Sequence, residues 1–296
     1  MDIDSILGNY KTRYFGNGYK NTDYDIKMIK PNLFSAKISM NGKVWSLKNN
    51  KEMRQHLSTL DGIILASLTV EKILINKVLD EYWISHFKIK AGKHAIESMD
   101  NVLIKFNRMK VDTNYYLFKF NIEGMKIDLK IEKNHGDKKA RTDSVSMEPY
   151  TTGHLKDSTL YIDNISYLDK DGLSACVTKK VKNMSYCGLG SVASNSISLL
   201  EWLVVFSQIG EVMTYHHDNM ERCDSNNLWM KMITADLKEG TASTINRRVV
   251  SEITKSSLVN MHDDRWRIIT AKGSDIDNKV LITAKIAHQL PEEKQK

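Results

Sequence analysis

The sequence predicts an α+β protein in which antiparallel strands wrap a long buried helix, and it predicts that arrangement twice. Two observations carry this. The first is an internal echo. Ser58-Thr-Leu-Asp-Gly-Ile-Ile-Leu-Ala-Ser-Leu-Thr-Val-Glu-Lys72 aligns without a gap on Ser198-Leu-Leu-Glu-Trp-Leu-Val-Val-Phe-Ser-Gln-Ile-Gly-Glu-Val212, at an offset of 140 residues. Ser58 meets Ser198, Asp61 meets Glu201, Ser67 meets Ser207 and Glu71 meets Glu211. A repeat with a domain-sized period marks two related halves and not a solenoid. The second observation is order: strands, one long helix, then a run of consecutive strands, twice over. A doubly wound sheet needs strands and helices to alternate.

Each element has a local reason. Residues 1–24 are polar and aromatic, and Arg13-Tyr-Phe-Gly-Asn-Gly-Tyr-Lys20 reads as a turn anchored by aromatics, because no helix follows the glycines as a phosphate loop requires. Residues 33–40 and 43–47 flank Asn41-Gly42, a strong hairpin signal. A first helix is expected over 52–79. Strands follow at 83–90, 102–109, 115–122 and 125–132. The last alternates Met125, Ile127, Leu129 and Ile131 with Lys126, Asp128, Lys130 and Glu132. Residues 133–158 are the linker candidate. Strands are expected again at 158–167 and 173–182, and the loop from Cys187 leads into the second helix. Its apolar residues, among them Leu199, Leu203, Phe206 and Ile209, wrap most of its circumference, as in a helix buried on several sides. Strands at 229–235, 247–253, 266–271 and 280–287 close the chain, and the tail from Pro291 is expected to fray. This order is that of a double hot-dog: two antiparallel sheets, each wrapped around a long central helix, with halves at 1–142 and 143–296.

Composition narrows the function. The 296 residues carry 43 basic and 36 acidic side chains, a net charge of +7 that favours anionic ligands. The charges are scattered, without a basic block, so no nucleic-acid partner is expected. Three cysteines without CxxC spacing fit a reducing cytoplasm. No leader pattern and no 18-residue apolar run occur, so no membrane role is expected. His135 and His262 complete no metal-ligand spacing, and no metal or bound cofactor is expected.

The chemistry-bearing candidates cluster at the helix starts. Glu201 and Asp61 each sit in a first turn, beside free backbone N–H groups, where a carboxylate can act as general acid or base. Ser58 with Asp61 and Ser198 with Glu201 also fit capping boxes that need no catalysis. His154, after Thr151-Thr-Gly, is placed on a connecting loop and is the histidine candidate for catalysis. Gln208, seven residues after Glu201, shares its helix face and must find a partner, either substrate or sheet. Ser198, Asp61, Gln208 and Cys187 are the substrate-binding candidates. Cys187 precedes a helix N-terminus, which can lower a thiol pKa. His56 lies just ahead of the first helix, and His216-His217 at the end of the second suits the helix dipole.

The opening Asp4-Ser-Ile-Leu-Gly8 and the segment Arg13-Tyr-Phe-Gly-Asn-Gly-Tyr19 resemble the avirulence D (AvrD) family of bacterial plant-pathogen proteins, over nearly the whole chain. That resemblance implies biosynthesis of syringolides, acylated-sugar elicitors made from a β-ketoacyl chain and a pentulose. Leu199-Leu-Glu201 is similar to the helix of A-factor-type butyrolactone synthases, double hot-dogs that transfer a β-ketoacyl group to a small hydroxyketone, although Trp202 stands where a small residue would be expected. The expected enzyme is an acyltransferase or condensing enzyme taking a β-ketoacyl thioester, on an acyl carrier protein or coenzyme A, to a small sugar. The expected assembly includes a homodimer. The alternatives are a dehydratase or thioesterase of the same fold, and a non-enzymatic receptor for a lipid-like ligand.

Overall fold

The computed structural model describes residues 1–42, 44–75, 77–134, 148–182, 186–225, 228–238, 246–261 and 264–291. His135, His262, half of the linker candidate (135–147) and the end of the tail lie outside these residues. A short helix α1 (Ile3–Leu7) opens the chain, followed by strands β1 (Thr22–Lys30) and β2 (Leu33–Met40). A small ribbon, β3 (Leu47–Lys48) with β4 (Lys51–Glu52), precedes the long helix α2 (Thr59–Ile73). Then come β5 (Tyr82–Lys90), β6 (Val102–Val111), β7 (Tyr115–Ile122) and β8 (Met125–Lys133). The second half begins with β9 (Glu148–Pro149), helix α3 (Tyr150–Asp157), β10 (Ser158–Tyr167), β11 (Gly172–Val181) and β12 (Tyr186–Cys187). Helix α4 (Leu199–His217) leads to β13 (Trp229–Leu237), β14 (Asn246–Met261), β15 (Asp264–Asp275) and β16 (Val280–Gln289).

Twelve strands form one antiparallel sheet in the order β1-β2-β6-β7-β8-β5-β13-β16-β15-β14-β11-β10. Read inward from either edge, the two halves have the same connectivity. The expected pair of separate sheets is therefore corrected: β5 and β13 hydrogen-bond side by side, from Met232 opposite Lys90 to Asp236 opposite His86. Left apart, each would be a bare edge with unpaired N–H and C=O groups. Joining them removes two edges at once.

One face of this sheet carries the helices. Strand alternation turns Met125, Ile127, Leu129 and Ile131 of β8 inward, where all are buried, and leaves Lys126 exposed. Helix α2 packs on β1 and β8, α4 packs on β13 to β16, and the two helices touch each other. Both begin at a serine N-cap with a complete capping box, which fixes their first turns at Thr59 and Leu199. That cap shortens the first helix from the expected 52–79. At Gly62 helix α2 lies close against β8, and a Cβ there would collide with the Met125 sulfur.

Two further expectations change. Asn41-Gly42 does not join a hairpin; β2 pairs with β1 through a turn at Pro31-Asn32, where Asn32 has φ 66°. Strand β1 offers a long partner whose Ile26 joins the core, whereas the stretch after Gly42 sends Trp45 into the core against Tyr14. His154 is not on a loop but within α3. No helix among the described residues is long and apolar enough to cross a membrane.

Candidate active site

The N-terminus of α4 closes over a buried polar cluster. Ser198 N–H donates to Glu201 Oε2 at 2.7 Å, and Glu201 N–H donates to Ser198 Oγ at 3.1 Å. Lys179 of β11 donates to the same Glu201 oxygen at 2.8 Å and to the Ser196 carbonyl at 2.6 Å. Both charged side chains are 0% exposed. Burial pushes the Glu201 carboxyl up, but the Lys179 ammonium and the hydrogen bonds from Lys179 and the Ser198 N–H outweigh it and hold it below its ordinary value. Among the described residues, the buried Glu201 Oε1 has no hydrogen-bond partner. His154 Nδ1 meets the Tyr150 carbonyl, which only accepts, so Nδ1 carries the ring proton. Nε2 is left to accept from the Ser198 hydroxyl at 2.8 Å. Burial drives the His154 pKa down to about 4, which keeps the ring neutral.

The equivalent cluster at α2 is built from tyrosines. Tyr24 donates to Asp61 Oδ1 at 2.6 Å, and Tyr14 lies 2.7 Å from Ser58 Oγ and 3.2 Å from Asp61. Burial pushes the Asp61 carboxyl up, against the pull of hydrogen bonds from Tyr24 and Ser58. Each N-cap serine is thus held by a ring group from outside its helix: Tyr14 in one half, His154 in the other.

The open space lies at the α2 end. A cavity of about 700 Å³ is lined by Ser58 and Thr59 at the start of α2 and by Ser207, Glu211 and Tyr215, one face of the middle of α4. Trp45, Leu57, Met125, Trp229 and Ile286 supply apolar wall. Arg13 and Arg222 supply charge. Arg222 Nε donates to Glu211 at 3.3 Å, and Tyr215 donates to the same oxygen at 3.1 Å. Arg13 is buried, donating to Gln208 Oε1 at 2.8 Å and to Asp4, while its Nε has no partner among the described residues. Ser207 Oγ is likewise buried without one. Lys48 also lines the cavity, and burial lowers its pKa to about 8. His56 faces the cavity with its ring between Trp45 and Trp229, centroids 4.8 and 5.5 Å away. Its Nδ1 lies 3.2 Å from the Arg54 carbonyl, so Nε2 carries the lone pair.

Of the six residues singled out from sequence, Glu201, His154 and Ser198 come together, and none of them lines the cavity. Asp61 is the matching residue at the other helix. Gln208 reaches the cavity only through Arg13. Cys187 lies on β12, paired with Pro149, with ten residues between it and Ser198. Sequence reasoning missed Lys179, Glu211 and Arg222 and gave Arg13 and His56 no chemical role. Lys179 had a legible signal: it shares the inward row of β11 with Leu173, Ala175 and Val177. Among the described residues no set of three or more His, Cys, Asp or Glu side chains gathers as metal ligands.

The profile of the family described as Pseudomonas avirulence D protein (AvrD) matches residues 1–291. The chain belongs to the AvrD family. No curated protein sequence matches this AvrD-family chain. Among solved structures it is similar to the tesB protein of Mycobacterium avium subspecies paratuberculosis, at 6% identity and TM-score 0.49, covering 90% of this chain and 96% of that one. An acyl-CoA thioesterase II, TesB2, from Mycobacterium marinum gives 6% identity and TM-score 0.48, covering 91% and 97%. The dehydratase domain of RzxB from Pseudomonas fluorescens gives 10% and 0.39, covering 87% and 94%.

Proposed function

We propose that this AvrD-family chain is an acyltransferase that joins a β-ketoacyl thioester to a small sugar, and that the reaction takes place in the cavity at the start of α2. The observation that carries the reading is the divided wall of that cavity. One side, with Trp45, Met125 and Trp229, suits an acyl chain. The other carries Lys48, Thr59, Glu211 and Arg222, polar side chains that suit the hydroxyls of a sugar. Membership of the family supports the substrate pair through the resemblance already described.

The chemistry follows from the groups present. The capping box engages the Asp61 amide and leaves that of Thr59, at the cavity wall, to receive the thioester oxygen as it becomes anionic. His56 Nε2 takes the proton of the sugar hydroxyl, whose oxygen attacks the carbonyl carbon. The C–S bond breaks, and the thiolate leaves with the proton held by His56. In this reading Glu201, Lys179 and His154 hold the start of α4.

A second reading places the chemistry there instead. It is favoured by the Ser198 hydroxyl donating to a neutral His154, the arrangement of a nucleophile and its base, and by the unpaired Glu201 Oε1. It suits a thioesterase.

Mass spectrometry of the purified protein with a β-ketoacyl thioester, with and without xylulose, separates these. The cavity reading expects an acylated sugar, reduced roughly 100-fold or more by His56→Ala and retained in Glu201→Gln. Loss in Ser198→Ala and Glu201→Gln with the fold intact moves the site to α4. Free acid or an enoyl product regardless of sugar makes the protein a hydrolase or dehydratase. Ligand retained without turnover makes it a binding protein.

A further inference from the structure

The lysines that look scattered in sequence converge in the fold. Strand alternation puts Lys88 and Lys90 of β5, Lys105 of β6, Lys119 of β7 and Lys126 of β8 on the solvent side of the sheet, all exposed. The pairing lays them in two neighbouring rows. Asn107, Lys119, Asp128 and Lys88 lie opposite one another in one, and Lys105, Asn121, Lys126 and Lys90 in the next. With Lys30 they line a shallow concavity of about 960 Å³. Six lysines there face a single carboxylate, Asp128. Among the described residues none of the six is in an ion pair.

This face adjoins the cavity mouth. Asn121 and Lys126 belong to the lysine face, while their chain neighbours Ile122 and Met125 line the cavity. Lys90 runs directly into Ala91, Gly92 and Lys93, which also line the cavity. A partner seated on the lysines can reach over this rim into the reaction space.

We infer that the lysine face docks an acidic protein surface that carries the acyl thioester on a flexible arm, as an acyl carrier protein does. The inference rests on the proposed acyltransferase and names its acyl donor. Two features select an acidic protein over a nucleic acid. The cations are all lysine, compact point charges that suit dispersed carboxylates, with none of the arginines that grip phosphate in two-pronged fashion. The aromatic rings at the concavity, Phe106 and Phe120, are buried, so none is offered for base stacking. Matched charge across such a contact steers association and makes it sensitive to salt.

The test is fluorescence anisotropy with a labelled bacterial fatty-acid acyl carrier protein. The full chain is compared with the fourfold variant Lys88→Glu, Lys105→Glu, Lys119→Glu, Lys126→Glu, its folding checked by circular dichroism. Expected are wild-type binding that weakens with added salt and at least a tenfold loss in the variant. Turnover of a small N-acetylcysteamine thioester stays equal in the two proteins. Equal carrier binding by both proteins, or no wild-type binding, overturns the inference. So does a single-stranded DNA oligonucleotide that binds the wild type while the carrier does not. Carrier binding lost in the variant, with no thioester turned over by either protein, keeps the docking surface and rejects the acyltransferase.

Discussion

Lys179 and Glu201 meet with both side chains fully buried, so neither charge can be removed alone without cost. Deleting one partner leaves the other charged and buried, which costs about 3–5 kcal/mol. Lys179→Met is therefore expected to lower the urea-unfolding free energy by that amount. Lys179→Met with Glu201→Gln should recover part of it. A double variant no more stable than the single one would show that the pair does not act as a unit. His154 supplies a pH dependence. Its pKa falls from an ordinary 6.5 to about 4 on folding, so between those values the unfolded chain holds more protons. Stability is then present above about pH 6.5 and is lost as the pH falls toward 4, by up to roughly 3 kcal/mol from this group. Urea midpoints at pH 4.5, 5.5 and 6.5 should show this slope, and His154→Gln should flatten it.

At the scale of elements, the two long helices were the most legible feature, because their serine caps and apolar circumference are local properties of the chain. The capping boxes formed as the Ser-x-x-Asp/Glu spacing predicts. What surrounds each cap was not legible, since Tyr14, Tyr24 and His154 arrive from distant segments, and the inward row of β11 shows that Lys179 is buried but not what it meets. The Asn41-Gly42 signal misled for the same reason: a turn propensity says where the chain can reverse, not which strand it will pair with. A substrate space along the second helix was expected, but its place was not legible, because the cavity draws its wall from the N-terminal segment, both long helices and β13 together. The caps give a comparison. Removing a serine N-cap costs about 1 kcal/mol. Ser198→Ala also strips the buried His154 Nε2 of its donor, adding roughly 1–3 kcal/mol. Ser58 is only half-buried, and Ser58→Ala should cost less than Ser198→Ala. Equal unfolding free energies for the two would contradict the closed cluster at α4.

Over the whole molecule, the repeated order of elements predicted the duplication, but the sequence could not show that the halves share one sheet. Hydrogen bonds between β5 and β13 involve no side-chain pattern that distinguishes an edge from an interior strand. That joint has a consequence for autonomy. A chain of residues 1–134 would expose the full β5 edge and the face of α2 that packs on α4. Both are sticky: an unpaired edge recruits another strand, and an uncovered apolar helix face recruits another core. The isolated half is therefore expected to aggregate or dimerise through β5 in size-exclusion chromatography. Co-expression with residues 148–291 should return a one-to-one complex, because β13 offers the register that β5 already matches. A monomeric 1–134 with cooperative unfolding would mean that each half closes its own core. The cavity argues against that, since Ser58 and Thr59 come from the first half while Ser207 and Glu211 come from the second. If the reaction space is built only where the halves meet, neither half alone should turn over a thioester, and the reassembled complex should.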